Sequence, residues 1–116
     1  MLLSGGRHGA TRILARPSVE VMTTDQITPA QKAASPFFPG FWDRHSWGFG
    51  VSMTTRRDGI AAVPGSFGWG GGFGTSWASD PHEDLVGVLM AQRLFDAVVV
   101  DLQADFWTLA YQAIDD

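Results

Sequence analysis

The sequence contains no cysteine, which excludes disulfide bridges and thiolate metal sites. That absence leaves the compartment open. No apolar run approaches the ~20 residues that a membrane-spanning helix requires, so no membrane span is expected. The opening, Met1-Leu2-Leu3-Ser4-Gly5-Gly6, is broken by glycine too early to read as a signal peptide, which leans the expectation toward the cytoplasm. Basic residues are scarce in the second half. Beyond residue 60 Arg93 stands alone against eight acids, whereas seven basic and four acidic residues precede it. A nucleic-acid partner would need a basic face, and none is expected. The asymmetry reads as solvated surface charge with an acidic terminal helix. The spacing Gly-x-Gly-x-x-Gly is missing, so Gly70, Gly72 and Gly74 read as hairpin or bulge glycines and not as a phosphate loop. No ligand spacing joins His8, His45 and His82 to Asp43, Asp80 or Glu83, and no metal or other cofactor is expected.

What is present suits a globular chain. The 116 residues are 45% apolar and 17% charged, enough for one modest domain or for a piece of a larger fold. Tryptophan and glycine concentrate between residues 37 and 77, which suggests close backbone approaches and sharp turns beside aromatic packing.

Turn and period signals order the elements. Ser4-Gly5-Gly6 reads as a turn. Pro17 opens a short helix to about residue 23, because its missing N–H costs nothing in a first turn. Thr28-Pro29-Ala30-Gln31 has the form of a capping box, starting a helix to about Ala34 that Pro36 and Pro39 end. Residues 37–42 read as an irregular aromatic loop. Residues 47–53 alternate apolar and small side chains and read as one strand. Arg56-Arg57-Asp58-Gly59 is a turn. Phe67-Gly68-Trp69 is a short strand running into Gly70-Gly71-Gly72. The next strand covers residues 74–78 and is stopped by Asp80-Pro81. Residues 84–90 form a further strand, buried on both faces by its composition. Val98, Leu102, Phe106, Leu109 and Ala113 recur at spacings of three and four and mark one apolar stripe of a terminal helix that packs on the sheet. The expected organisation is a helical and loop segment at 1–45, antiparallel strands at 46–92 and a helix at 94–114. The class is α+β.

These residues resemble the C-terminal part of β-lactamase-related serine hydrolases, a family of class C β-lactamases, DD-peptidases and esterases. The likeness runs from Met1 to Tyr111. Leu2-Leu3-Ser4-Gly5-Gly6, Arg16-Pro17-Ser18-Val19 and Met22-Thr23-Thr24 look like the helical segment before the family's last strands. Trp47-Gly48-Phe49-Gly50-Val51 looks like its first C-terminal strand, and Phe67-Gly68-Trp69-Gly70-Gly71-Gly72 like the strand lining its active site. The resemblance implies a partial β-lactamase or transpeptidase-like fold. In a complete enzyme it implies acyl-enzyme hydrolysis of a small-molecule ester, amide or lactam. The N-terminal part of the fold would be the partner of this segment.

The family uses three motifs. Lys-Thr-Gly, or a variant such as Trp-x-Gly, is matched by Trp69-Gly70-Gly71. By resemblance these three residues line the substrate, and the backbone N–H of Gly72 is an oxyanion donor. The chemistry explains the pattern. Acyl transfer builds negative charge on a carbonyl oxygen, and backbone N–H groups aimed at it stabilise the transition state. Glycine lets a substrate approach that backbone. Tryptophan in place of lysine removes a cation suited to a substrate carboxylate, which favours neutral esters or amides.

The other two motifs are absent. No serine is followed three residues later by lysine, the nearest case being Ser4 with Arg7. The sequence has no asparagine, so neither Tyr-x-Asn nor Ser-x-Asn occurs. A Gly-x-Ser-x-Gly elbow is missing as well. Thr75 and Ser76 have no neighbouring His or Lys in sequence to activate them. The expectation is a segment that is inactive alone. The alternative is a non-catalytic module that binds a partner through its aromatic and glycine-rich face. Phe37, Phe38, Phe41 and Trp42 read as walls of the complete enzyme's pocket or as core.

Overall fold

Gly5 and Gly6 take positive φ (58° and 91°), where a side chain would be strained, and they turn the chain as expected. The turn leads into an exposed two-stranded ribbon, β1 (Arg7–His8) and β2 (Thr11–Arg12), that the period signals do not predict. The computed structural model describes every residue except Pro36, Ala62, Phe95 and Asp116, and the side chains of Ala97 and Val99 besides. The expected role of Pro36 in ending a helix therefore lies outside the described residues.

Helix α1 (Arg16–Met22) starts with Pro17 in its first turn and buries Val19. Helix α2 (Pro29–Ala34) has the full capping box. The Thr28 hydroxyl accepts the Gln31 N–H at 3.3 Å, and the Gln31 side-chain Oε1 accepts the Thr28 N–H at 2.9 Å. This helix buries nothing, so its cap defines it. Residues expected as an aromatic loop instead supply a single helical turn, α3 (Phe41–Arg44), begun by Gly40 at φ 80°.

Five antiparallel strands follow in simple meander order: β3 (His45–Trp47), β4 (Ser52–Thr54), β5 (Phe67–Gly70), β6 (Ser76–Asp80) and β7 (Leu85–Leu89). The single strand expected over residues 47–53 is in fact a hairpin. Trp47 pairs with Ser52, and the Gly48 N–H bonds to the Val51 carbonyl at 2.9 Å. Gly50 at φ 85° turns the chain, which the alternation template does not register. Asp25 fastens the helical segment to β3. It accepts from Lys32 Nζ at 2.6 Å, from the Ile27 N–H at 2.9 Å and from the hydroxyl of fully buried Ser46. Burial alone would raise the Asp25 pKa, but the bonds from Lys32, Ser46 and Ile27 outweigh it and hold the carboxyl below its ordinary value.

Helix α4 (Ala97–Gln112) lies on the sheet as expected, but on a different face of itself. Val98, Leu102 and Leu109 of the expected stripe are 52%, 42% and 64% exposed. Phe106 of that stripe does reach the sheet, its ring 3.6 Å from a Cβ built on Gly87, beside Gln103, Trp107 and Tyr111, each of which has a polar partner there. Gln103 Nε2 donates to the Gly74 carbonyl at 3.3 Å, Trp107 Nε1 to the Ser76 hydroxyl at 3.2 Å, and the Tyr111 hydroxyl to the Asp80 carboxylate at 2.6 Å. Gly87 makes room for the Trp107 ring. A Cβ there would lie 2.4 Å from it. Strand β7 is the last of the sheet, so α4 covers one of its faces only. Val86 and Val88 are 54% and 56% exposed, which corrects the expectation of a strand buried on both faces.

The core is small. Among the described residues the buried apolar side chains are Val19, Phe41, Val51, Val63 and Phe67. The radius of gyration, 14.8 Å, exceeds the ~13.4 Å of a self-contained domain of this length.

The Tyr111–Asp80 bond has a pH signature. Burial of Tyr111 comes first, and the hydrogen bond and charge of Asp80 with the charge of Glu83 add to it, raising the phenol well above its ordinary 10.0. A raised folded-state pKa gives stability that is complete below the unfolded value and lost as pH climbs past it. The melting temperature should therefore fall above about pH 10, and Tyr111→Phe should remove that component. At neutral pH Tyr111→Phe should cost about 1–3 kcal/mol in denaturant titration, because Asp80, 2% exposed, loses a donor.

Candidate active site

Strand β5 lies between β4 and β6 and carries the Trp69-Gly70-Gly71-Gly72 run to the end of the sheet. Its backbone is unusually close to β6. A Cβ on Gly68 would stand 2.0 Å from the Trp77 carbonyl oxygen and 2.7 Å from the Ala78 Cα. Beyond Gly70 the chain enters a β turn over residues 71–74. The Gly71 N–H bonds to the Thr75 carbonyl at 2.7 Å, and the Gly74 N–H bonds back to the Gly71 carbonyl at 3.0 Å. Gly74, at φ 87°, occupies the last turn position, where glycine is favoured.

Gly72 sits second in this turn. Among the described residues its N–H has no acceptor, and nothing lies within 4 Å of a Cβ built there. An unpaired, accessible backbone donor at a strand end is what an oxyanion needs. Gly70 and Gly71 are different: a Cβ on Gly70 would stand 3.2 Å from the Gln103 Oε1, and one on Gly71 3.1 Å from the Thr75 hydroxyl.

Trp69 is 37% exposed and stands in an aromatic group. The Trp47 ring meets it edge-on at 4.6 Å, and the Phe37 and Phe41 rings lie 5.9 and 6.4 Å away. Phe37, Phe38, Phe41 and His45, with Trp69, Gly70, Gly72, Gln103 and Trp107, border a cavity of about 620 Å³. Trp42 does not line it. Its indole N–H donates to the Ser35 carbonyl at 2.8 Å. The structure thus gathers Trp69, Gly70, Gly72, Phe37, Phe38 and Phe41 around one space, with Gly71 in the adjoining turn.

Hydroxyls line the cavity, all of them engaged. Ser52 donates to the Ser46 carbonyl at 3.2 Å, Ser66 to the Val63 carbonyl at 2.7 Å, and Ser76 receives the Trp107 indole N–H. No His or Lys side chain bonds to these hydroxyls among the described residues. His45 was not singled out for this site by the sequence. It stacks on Phe41 at 5.3 Å, and burial, with the charge of Arg44, lowers its pKa against the opposing Met53 backbone bond. The imidazole is therefore neutral near pH 7. Trp47, Gln103 and Trp107 are likewise absent from the sequence reading of the site. Strand pairing and helix docking bring them in, and no local signal marks them. No group of three His, Asp or Glu side chains suited to a metal ion occurs among the described residues.

The sheet, its terminal helix and the Trp-Gly-Gly strand beside an aromatic cavity match a β-lactamase class of fold. The family described as Beta-lactamase matches residues 6–112, and the chain is a member of that family. Two Mycobacterium tuberculosis proteins, the uncharacterized protein MT1414 and protein Rv1367c, are each 34% identical to it over 106 residues, which is 85% of this chain and 26% of theirs. Unliganded simvastatin synthase (LovD) from Aspergillus terreus superposes with a TM-score of 0.72 at 23% identity, covering 99% of this chain and 32% of that one. The LovD9 mutant of the synthase gives 0.69 at 20%, covering 86% of this chain and 30% of that one. The chain therefore spans about a quarter to a third of the length of the proteins it matches.

Proposed function

We propose that this chain is the C-terminal, substrate-lining segment of a β-lactamase-related serine hydrolase, and that it is inactive alone. In the whole enzyme, Trp69 and Gly70 would flank a neutral ester, amide or lactam. The Gly72 N–H would hold the developing oxyanion. The nucleophile, its base and the second N–H donor would come from the N-terminal part of the fold. The free Gly72 N–H beside the aromatic cavity carries this reading. The small core and the exposed apolar stripe of α4 support the incompleteness it requires.

The test is an assay with p-nitrophenyl acetate and nitrocefin. The chain alone should turn over neither. Fused to a preceding segment of the family that carries Ser-x-x-Lys and Tyr-x-Asn, it should hydrolyse the ester. Turnover by the isolated chain, blocked by a serine-directed phosphonate, would overturn its assignment as inactive.

A further inference from the structure

Two ionisable side chains are among the described residues that border the aromatic cavity, Arg44 and His45. Neither offers a charge to a ligand. Arg44 is paired with the Asp58 carboxylate, and the half-buried His45 imidazole is neutral near pH 7. The hydroxyls are committed as well. Ser52 and Ser66 donate to the backbone carbonyls of Ser46 and Val63, and Ser76 accepts from Trp107. A carboxylate, phosphate or polyhydroxyl ligand would give up water for groups that are already bonded, which is unfavourable. The Gly72 N–H borders the same space and has no acceptor among the described residues, so it can meet one carbonyl oxygen.

The apolar side is different in kind. Phe37 and Phe38 are 55% and 49% exposed, with ring centroids 5.0 Å apart, and the Phe37 ring lies 5.9 Å from Trp69. These rings leave flat apolar surface in water beside the cavity. A ring-bearing occupant would cover that surface and gain stacked or edge-on contacts with it. The volume of about 620 Å³ falls within the ~300–1,000 Å³ of small-molecule sites and far exceeds what an acetyl group fills.

Resting on the hydrolase reading, we infer that this cavity takes the acyl portion of the substrate, that this portion is uncharged and carries an aromatic ring, and that Phe37 and Phe38 select it. The carbonyl oxygen would meet the Gly72 N–H, and the ring would pack against Phe37 and Phe38. In acyl-enzyme chemistry the leaving group departs first, while the acyl group stays bound through the second step. A cavity that borders the oxyanion donor therefore serves the acyl group best.

Binding to the isolated chain tests the cavity apart from catalysis. Ligand-observed NMR with 1-naphthylacetamide, 1-naphthylacetate and acetamide compares a neutral ring, a charged ring and no ring. The first should bind at least about tenfold more tightly than either of the others. Phe37→Ala with Phe38→Ala should weaken its binding about tenfold, with circular dichroism retained because both rings are exposed. Phe49→Ala, at a ring 57% exposed that does not border the cavity, should leave it unchanged. In the fused enzyme the double alanine variant should lower the preference for p-nitrophenyl 1-naphthylacetate over p-nitrophenyl acetate about tenfold. Equal binding of 1-naphthylacetamide and acetamide, or an unchanged preference between the two esters, would overturn the inference. So would naphthylacetamide binding that disappears on fusion while p-nitrophenyl acetate is still hydrolysed, because the rest of the fold would then fill the cavity. A fused protein that hydrolyses neither ester yet keeps binding that depends on Phe37 and Phe38 would sink the hydrolase reading and uphold the ring preference.

Discussion

Alanine at Gly68 is expected to cost more than about 3 kcal/mol and to unfold the sheet of the isolated chain. The added methyl would lie 2.0 Å from the Trp77 carbonyl oxygen and 2.7 Å from the Ala78 Cα. Both are backbone atoms of β6, and Ala78 is the register partner of Gly68. No side-chain rotation relieves the clash, so β5 must move off β6 at the centre of the sheet. A domain of this length has a stability of roughly 6–17 kcal/mol, and a chain with so small a core belongs at the lower end. Loss of the strand signal in circular dichroism, with a red shift in tryptophan emission, reads the outcome. Gly72→Ala is the control, since nothing lies within 4 Å of its Cβ, and its stability should stay within about 0.5 kcal/mol of wild type. Equal stability of the two variants would contradict the close approach of β5 and β6.

Proline at Gly72 is expected to lower kcat of the completed, fused enzyme by about 10²–10³-fold with little change in KM. The logic separates fold from chemistry. Gly72 is the second residue of the turn closed by the Gly74 N–H, a position where proline is favoured. Its N–H has no acceptor among the described residues, so the turn loses no bond with it. What disappears is a donor that would serve the oxyanion in the transition state, and loss of one such donor is worth about 3–4 kcal/mol. Thermal denaturation of the fused protein checks that the turn is kept. A wild-type kcat in the proline variant would remove Gly72 from the reaction.

Local signals carried part of this architecture. The capping box at Thr28 and Gln31 is legible because both partners lie within four residues. Strands β5 and β6 are legible because Gly70 and Asp80-Pro81 punctuate them. The β3–β4 hairpin is not, since glycine within an alternating run reads equally as a small strand residue or as a turn at positive φ. The stripe of α4 misleads for a related reason. Counting apolar residues selects Val98, Leu102, Phe106, Leu109 and Ala113, of which Phe106 meets the sheet at Gly87 while Val98, Leu102 and Leu109 are exposed; the sheet also selects Gln103, Trp107 and Tyr111, whose partners are a carbonyl, a hydroxyl and a carboxylate far away in sequence. The candidate site divides along the same line. Trp69 to Gly72 and the Phe37–Phe41 wall are recognised by motif and composition, while His45, Trp47 and Gln103 arrive by pairings no local pattern encodes.

Gln103 ties the helix to the turn that bears Gly72, since its amide donates to the Gly74 carbonyl while a Cβ on Gly70 would stand 3.2 Å from its Oε1. Four residues on, Trp107 is seated in the gap left by Gly87, and one turn further Tyr111 is held by Asp80. The three contacts act like pegs along a ruler. They set how far α4 can slide along its own axis, and with it the height at which the Gly72 amide is presented. A change at Gly87 or Trp107 would thus reach the Gly72 amide as a displacement along the helix.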